Sequence, residues 1–156
     1  MSDSTALILA GISVGLIIAV VIAFWVIYIL AFWKMFQKAG EKGWKSIIPI
    51  YNNYILYKIS WKGSMFWVML IASIIGASLV AASGGNIDAG IAGAGWMYYV
   101  GAAFYLVTGV IYIMQNYKTS KAFGHGVGFC LGLIFFNFIF MLIIGFGSSQ
   151  YKGAQE

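Results

Sequence analysis

Six residues of one apolar stretch share a helical register. Tyr98, Gly101, Tyr105, Thr108, Tyr112 and Gln115 follow one another at spacings of 3, 4, 3, 4 and 3. That heptad spacing puts all six on one face of a helix. Phenols, a hydroxyl and an amide exchange hydrogen bonds without carrying charge, so the chemistry open to them is recognition. One reading is helix packing, with Gly101 allowing close approach and each polar bond worth ~0.6–2 kcal/mol in lipid. The other is the lining of a polar cavity or solute path. Packing is favoured, because a path normally needs an ionisable group at depth and no Asp, Glu, Lys, Arg or His falls inside any apolar run. Asn137 is a strongly polar side chain midway along the next apolar run. It must find a partner, expected on the helix that carries the seam.

The residues that do harder chemistry are scattered. His125 stands in Phe123-Gly124-His125-Gly126 with no Cys, Asp or Glu beside it, and a metal site needs three or four ligands. Cys130, the single cysteine, lies in an apolar run without an adjacent base and reads as buried and inert. Asn86 and Asp88 belong to a Gly-rich stretch and read as turn chemistry. Ser46 and Ser60 are the nearest approach to nucleophiles, and no paired carboxylates, nucleophile with a base, or phosphate loop accompanies them. The expectation is therefore no enzyme, no cofactor and no metal.

Apolar residues make up 62% of the 156 and charged residues 8%, against about 45–50% and about 25% in a soluble domain. So few charges cannot cover a water-facing surface, and lipid is the expected surroundings. The net charge is +5, with every basic residue a lysine. Nucleic acid is excluded as a partner, since the lysines sit in short breaks between apolar runs rather than on a broad basic face.

Four apolar runs divide the chain, and the reading is one all-α membrane domain of four transmembrane helices, at about residues 6–36, 64–83, 91–116 and 127–146. Each is near or above the ~20 residues that span a bilayer. The first has no basic stretch ahead of it and reads as a retained anchor rather than a cleaved signal. The breaks after the first and third runs hold eight of the nine lysines. Counted by the positive-inside rule, this expects both termini outside the cytoplasm.

The break at 37–62 is the most informative segment. It alternates lysines with Trp44, Tyr51, Tyr54, Tyr57 and Trp61 and contains the one proline, Pro49. Rings at headgroup depth and amines reaching water suit a membrane interface, and Pro49 suits the first position of a short helix. Trp44, Pro49, Tyr51, Asn52 and Lys58 are its candidate site residues. Lys34, Lys38, Lys42 and Lys45 share a face if the first helix continues; ordinary topology control explains them, and anionic headgroups or an acidic partner would fit them too.

The stretch Phe36-Gln-Lys-Ala-Gly-Glu-Lys-Gly-Trp44-Lys-Ser-Ile-Ile-Pro49-Ile-Tyr-Asn52, continuing through Lys58, resembles the signature of a family of small bacterial multi-pass membrane proteins catalogued as a domain of unknown function. The later parts of that signature appear as Phe123-Gly124-His125-Gly126 and Gly145-Phe146-Gly147 with Tyr151-Lys152-Gly153. His125 stands where the family more often has lysine. The resemblance implies a bacterial inner-membrane location. Similar domains can precede the catalytic part of signal-peptidase-like proteins, and no such part is present here.

The functional expectation is a non-catalytic membrane protein acting through helix–helix or partner contacts, as an accessory, scaffold or immunity-type subunit. Its partners would be the bilayer, including anionic lipids, and a membrane protein or a second copy. The alternative is a component of small-solute or ion transport, using the seam and Asn137.

Overall fold

The computed structural model describes residues 3–83 and 95–155, with side chains from residue 12 onward. The beginning of the third run at 91 and the turn around Asn86 and Asp88 lie outside the described residues. Among the described residues the regular structure is entirely helical.

Helix α1 (Asp3–Lys38) has 36 residues, about 54 Å at 1.5 Å per residue, well over the ~30 Å hydrocarbon core. It stops at a glycine: Gly40 has φ 77°, the Glu41 N–H donates to Phe36 O at 2.8 Å and the Gly40 N–H to Gln37 O at 3.1 Å. That pair of bonds satisfies carbonyls the helix end would otherwise leave open. A 3₁₀ turn (Gly43–Ser46) follows, then α2 (Pro49–Ser60) with Pro49 in its first turn. Gly43 lies under the Trp33 indole so closely that a Cβ would come within 2.2 Å of Nε1. The expected interfacial segment is thus a turn and a short helix folded against the end of α1.

Helices α3 (Gly63–Ala82) and α4 (Trp96–Ala122) form a closely crossed pair. A Cβ on Gly101 would lie 3.0 Å from Gly76 O and 2.8 Å from Val80 Cγ2, so small residues on both helices set the approach. Helix α4 continues through Lys118 and Lys121 and ends on a second glycine, Gly124, with φ 79°. The His125 N–H reaches Ser120 O at 2.9 Å there.

Among the described residues, three helical segments are long and apolar enough to cross a membrane: Ile12–Lys38, Gly63–Ala82 and Trp96–Ala122, with mean hydropathy over an 18-residue window of 2.9, 2.2 and 1.6. The expectation of one helix over 127–146 is corrected. That run is two short helices, α5 (Val127–Phe135) and α6 (Asn137–Phe146), broken at Phe136. They fold back on each other: the Phe129 and Phe140 rings meet edge to face at 4.8 Å, and the Phe140 ring fills the space beside Gly132, where a Cβ would lie 2.1 Å away.

The direction of α6 follows from its contacts with α1. Phe138 meets Phe24 at 5.6 Å and Asn137 meets Tyr28 at 3.1 Å. Further along, Gly145 abuts the Ala31 backbone, Phe146 lies under the Lys34 amine, and Lys38 Nζ donates to Ile144 O and Gly147 O. Helix α6 therefore runs parallel to α1, toward its Lys38 end. The tail continues across that end: the Lys152 N–H donates to Ala122 O at 2.7 Å, the Gln155 N–H to Ser60 O at 3.0 Å, and the Tyr151 hydroxyl to Ile59 O at 2.7 Å. A single straight fourth helix would have carried the tail to the opposite end.

The buried core sits at this same end, where Phe36, Ile55, Ile59, Phe123, Leu133 and Ile144 pack together. Away from it the molecule opens. Helix α1 makes no close backbone approach to α3 or α4 among the described residues, and its side chains from Ile12 to Val26 are all exposed.

Candidate functional site

Where the helices part above the core, α1, α2, α3, α4 and α6 surround a cavity of about 420 Å³. Tyr28 and Phe32 come from α1, Asn53 and Tyr57 from α2, Met69 from α3, Tyr112, Gln115 and Asn116 from α4, and Asn137 and Met141 from α6. Tyr28, Phe32 and Asn53 also border a smaller cavity of about 160 Å³ that reaches Ser46 and Asn52. Tyr28 borders a third space, an apolar groove of about 440 Å³ with Phe24, Trp25 and Phe138. Among the described residues no charged side chain lines any of the three.

The amides of this wall are oriented by their own chain. Gln115 Nε2 donates to Ser60 Oγ and to Leu56 O. Asn116 Nδ2 donates to Tyr112 O, Asn53 Nδ2 to Pro49 O, Asn52 Nδ2 to Ser46 O, and Asn137 Nδ2 to Leu133 O. Each amide nitrogen thus faces a protein oxygen, and Asn137 Oδ1 in turn accepts from Tyr28 Oη. Among the described residues, Gln115 Oε1, Asn52 Oδ1 and Ser46 Oγ are buried without a partner. Burial, with the Tyr112 phenol nearby, pushes Tyr57 up to about 12, so it remains a neutral hydroxyl at physiological pH.

Asn137 finds its partner on α1 rather than on the seam helix: Tyr28 Oη donates to its Oδ1 at 3.1 Å while its Nδ2 reaches Leu133 O. That second bond occupies a carbonyl near the end of α5, where an irregular backbone in lipid must be satisfied internally. The seam itself divides. Gly101 packs on α3, and Tyr112 and Gln115 border the cavity. Thr108 bonds back to Tyr105 O within its own helix, Tyr105 is exposed, and half-buried Tyr98 rests edge to face on Tyr99. A heptad row drifts ~20° per repeat on a straight helix, and α3 covers only part of the face.

The interfacial candidates make a separate cluster. Trp44 stacks on Tyr51, and Tyr51 on Tyr54. Lys58 and Lys45 both bond the Glu41 carboxylate, and these hydrogen bonds hold it below the ordinary Glu range. Pro49 is exposed and Asn52 ties α2 to the 3₁₀ turn. His125 stacks on Phe129 at 3.9 Å and bonds Ser149 Oγ at 2.8 Å. Burial and the nearby Lys152 amine push its imidazole down. Among the described residues no three His, Cys, Asp or Glu side chains gather as metal ligands.

One feature escaped the sequence reading although its signal was plain. Gly11, Gly15, Ala19 and Ala23 recur every four residues along α1, the small-xxx-small spacing of close helix contacts in membranes. A Cβ on Gly15 would meet nothing within 4 Å among the described residues.

No curated protein and no solved structure matches the chain. Residues 44–154, from the 3₁₀ turn through α2 to α6 and into the docked tail, match a family described as "Family of unknown function (DUF5684)". That span is well over half of the chain and contains every element around the cavity except α1, so the protein belongs to this family of unknown function.

Proposed function

We propose that the protein is a non-catalytic subunit of a bacterial inner membrane that crosses three times and acts by contact with another membrane helix. The single observation behind this is the outer half of α1. From Ile12 to Ala23 its side chains are exposed and, among the described residues, neither α3 nor α4 approaches it, yet it carries the Gly11, Gly15, Ala19 and Ala23 row. Lipid can cover such a face, but a second helix covers it with closer packing. An accessory or scaffold role follows, with the occupant a second copy or a partner protein. The test is crosslinking in native membranes with Gly15→Leu beside the parent. Because a Cβ on Gly15 meets nothing within 4 Å among the described residues, the variant is expected to keep its fold. Loss of the crosslinked complex in the variant is expected; a monomer in both proteins would defeat the proposal.

The topology proposed with it departs from four crossings. Helices α5 and α6 would form a re-entrant hairpin that enters from the lysine-bearing side and returns to it. Tyr28, beside the hairpin apex, is ten residues from Lys38, about 15 Å along α1, half of a ~30 Å core. Lysine counting assigns that side to the cytoplasm. The N-terminus would then be outside and the tail cytoplasmic.

The cavity favours a second reading, transport of a small neutral solute. Flux in proteoliposomes that falls severalfold with Tyr112→Phe would support it, and unchanged flux would remove this cavity from consideration.

A further inference from the structure

The chain between α1 and α3 climbs back along α1 before it returns. Gly43 sits under the Trp33 indole. Ile47 and Pro49 then share the walls of a cavity of about 160 Å³ with Trp25 and Ile29. Trp25 and Ile29 precede Lys38 by thirteen and nine residues, about 14–20 Å along the helix. On the other side of the bend, Ile48 and Ile50 border an apolar groove of about 280 Å³ with Phe66 and Trp67, inside the apolar segment that begins at Gly63. From the bend α2 runs back to Ser60, whose carbonyl takes the Gln155 N–H at the Lys38 end. The bend is thus level with residues inside two segments long and apolar enough to cross a membrane, not with the lysines that flank them.

The chemistry of the bend suits hydrocarbon. Residues 46–57 carry no charge, and Ile47, Ile48 and Ile50 are 55%, 47% and 66% exposed. The lysines on either side, Lys45 and Lys58, both turn to Glu41, which keeps their charge at the Lys38 end. The backbone of the bend is met by its own chain. The Ile47 N–H donates to Trp44 O at 3.1 Å and the Asn52 N–H to Ile48 O at 2.7 Å. The Asn52 side-chain amide donates to Ser46 O at 3.3 Å and the Asn53 amide to Pro49 O at 3.0 Å. Pro49 has no N–H to satisfy. Water would supply such partners to a surface loop, whereas a bend in lipid must find them internally. The exposed isoleucines also continue the exposed apolar faces of α1 and α3 at Trp25 and Trp67, so one medium covers all three.

We propose that residues 43–60 form a re-entrant element whose tip, Ile47 to Ile50, is seated among the acyl chains of the leaflet on the lysine-bearing side. Lys42 and Lys62, both exposed, stay at its headgroups. The proposal rests on α1 and α3 crossing the bilayer, and not on what covers the Gly15 face or on the fold-back of α5 and α6.

The experiment attaches bimane to Ile50→Cys, Ile22→Cys and Lys62→Cys, each in a Cys130→Ala background. All three positions are exposed, so the label points away from the core. The proteins are reconstituted into phosphatidylcholine–phosphatidylglycerol vesicles that carry a nitroxide on the headgroup or on the acyl chain. Acyl-chain nitroxides should quench Ile50→Cys at least twofold more than the headgroup nitroxide does. Aqueous iodide should quench it at least threefold less than Lys62→Cys. Ile22→Cys reports the crossing of α1 and should be quenched from the acyl chains. Headgroup quenching of Ile50→Cys equal to acyl quenching, or iodide quenching equal to that of Lys62→Cys, would overturn the re-entrant tip while a deep Ile22→Cys leaves the crossing standing. An Ile50→Cys label shielded from every quencher would assign the tip to a protein partner and overturn the proposal as well. A shallow Ile22→Cys would overturn the crossing and the proposal together.

Discussion

Single residues decide where this chain bends and what its ends can bond. Asn137 joins Tyr28 of α1 to Leu133 of α5 at the point where the fourth apolar run breaks. Replacing it with leucine removes two bonds, so Asn137→Leu should lower stability by about 1–2 kcal/mol, read as an earlier midpoint of unfolding in mixed detergent. Gly145 is a stricter case. Its Cβ would lie 2.5 Å from Ala31 O, a backbone atom that cannot swing away. Gly145→Val should prise α6 from α1 and cost more than Asn137→Leu in the same assay. Glu41 sets a pH dependence. Its folded pKa is lowered by hydrogen bonds from Lys45 and Lys58, so its stabilisation is present above the unfolded value of about 4.3 and is lost as pH falls through the depressed folded value. Melting temperature should drop as pH goes below about 4, and Glu41→Gln should flatten that part of the profile while lowering stability at neutral pH.

At the level of elements, what could be read in the sequence and what could not have distinct physical causes. Apolar length marks a helix in lipid without help from neighbours, and α1, α3 and α4 announce themselves that way. Trp44, Tyr51 and the lysines around Pro49 signal an interface by composition, and that segment is a turn and a helix against the end of α1. The break at Phe136 has no such signal. No glycine or proline stands there, and both flanking stretches are as apolar as a span. What bends the run is tertiary: Phe140 filling the space at Gly132, Gly145 on Ala31, and Asn137 on Tyr28. Hydropathy counts residues in a row and is blind to a chain that turns back. The cavity was half legible. Tyr112, Gln115 and Asn137 stand out in the sequence as polar groups within apolar runs, but Tyr28, Asn53 and Asn116 come from other faces that only the packing brings round. Gly132→Leu should disrupt the hairpin, because the added side chain would take the place of the Phe140 ring. Limited proteolysis should then release the tail severalfold faster than in the parent.

For the whole molecule, one end is built and the other is open. The core, both glycine stops, the lysines flanking them and the returning tail gather at the Lys38 end, while α1 leaves the α3–α4 pair on the far side. That asymmetry underlies the proposed arrangement of three crossings and a hairpin to mid-depth, with the free half of α1 available to another helix. In a Cys130→Ala background, single cysteines at Gln155 and at Asn86 can be treated with a membrane-impermeant maleimide in intact cells and again after permeabilisation. The proposed topology expects Asn86→Cys to label in intact cells and Gln155→Cys to label only after permeabilisation. Labelling of Gln155→Cys in intact cells would contradict it and restore a fourth crossing.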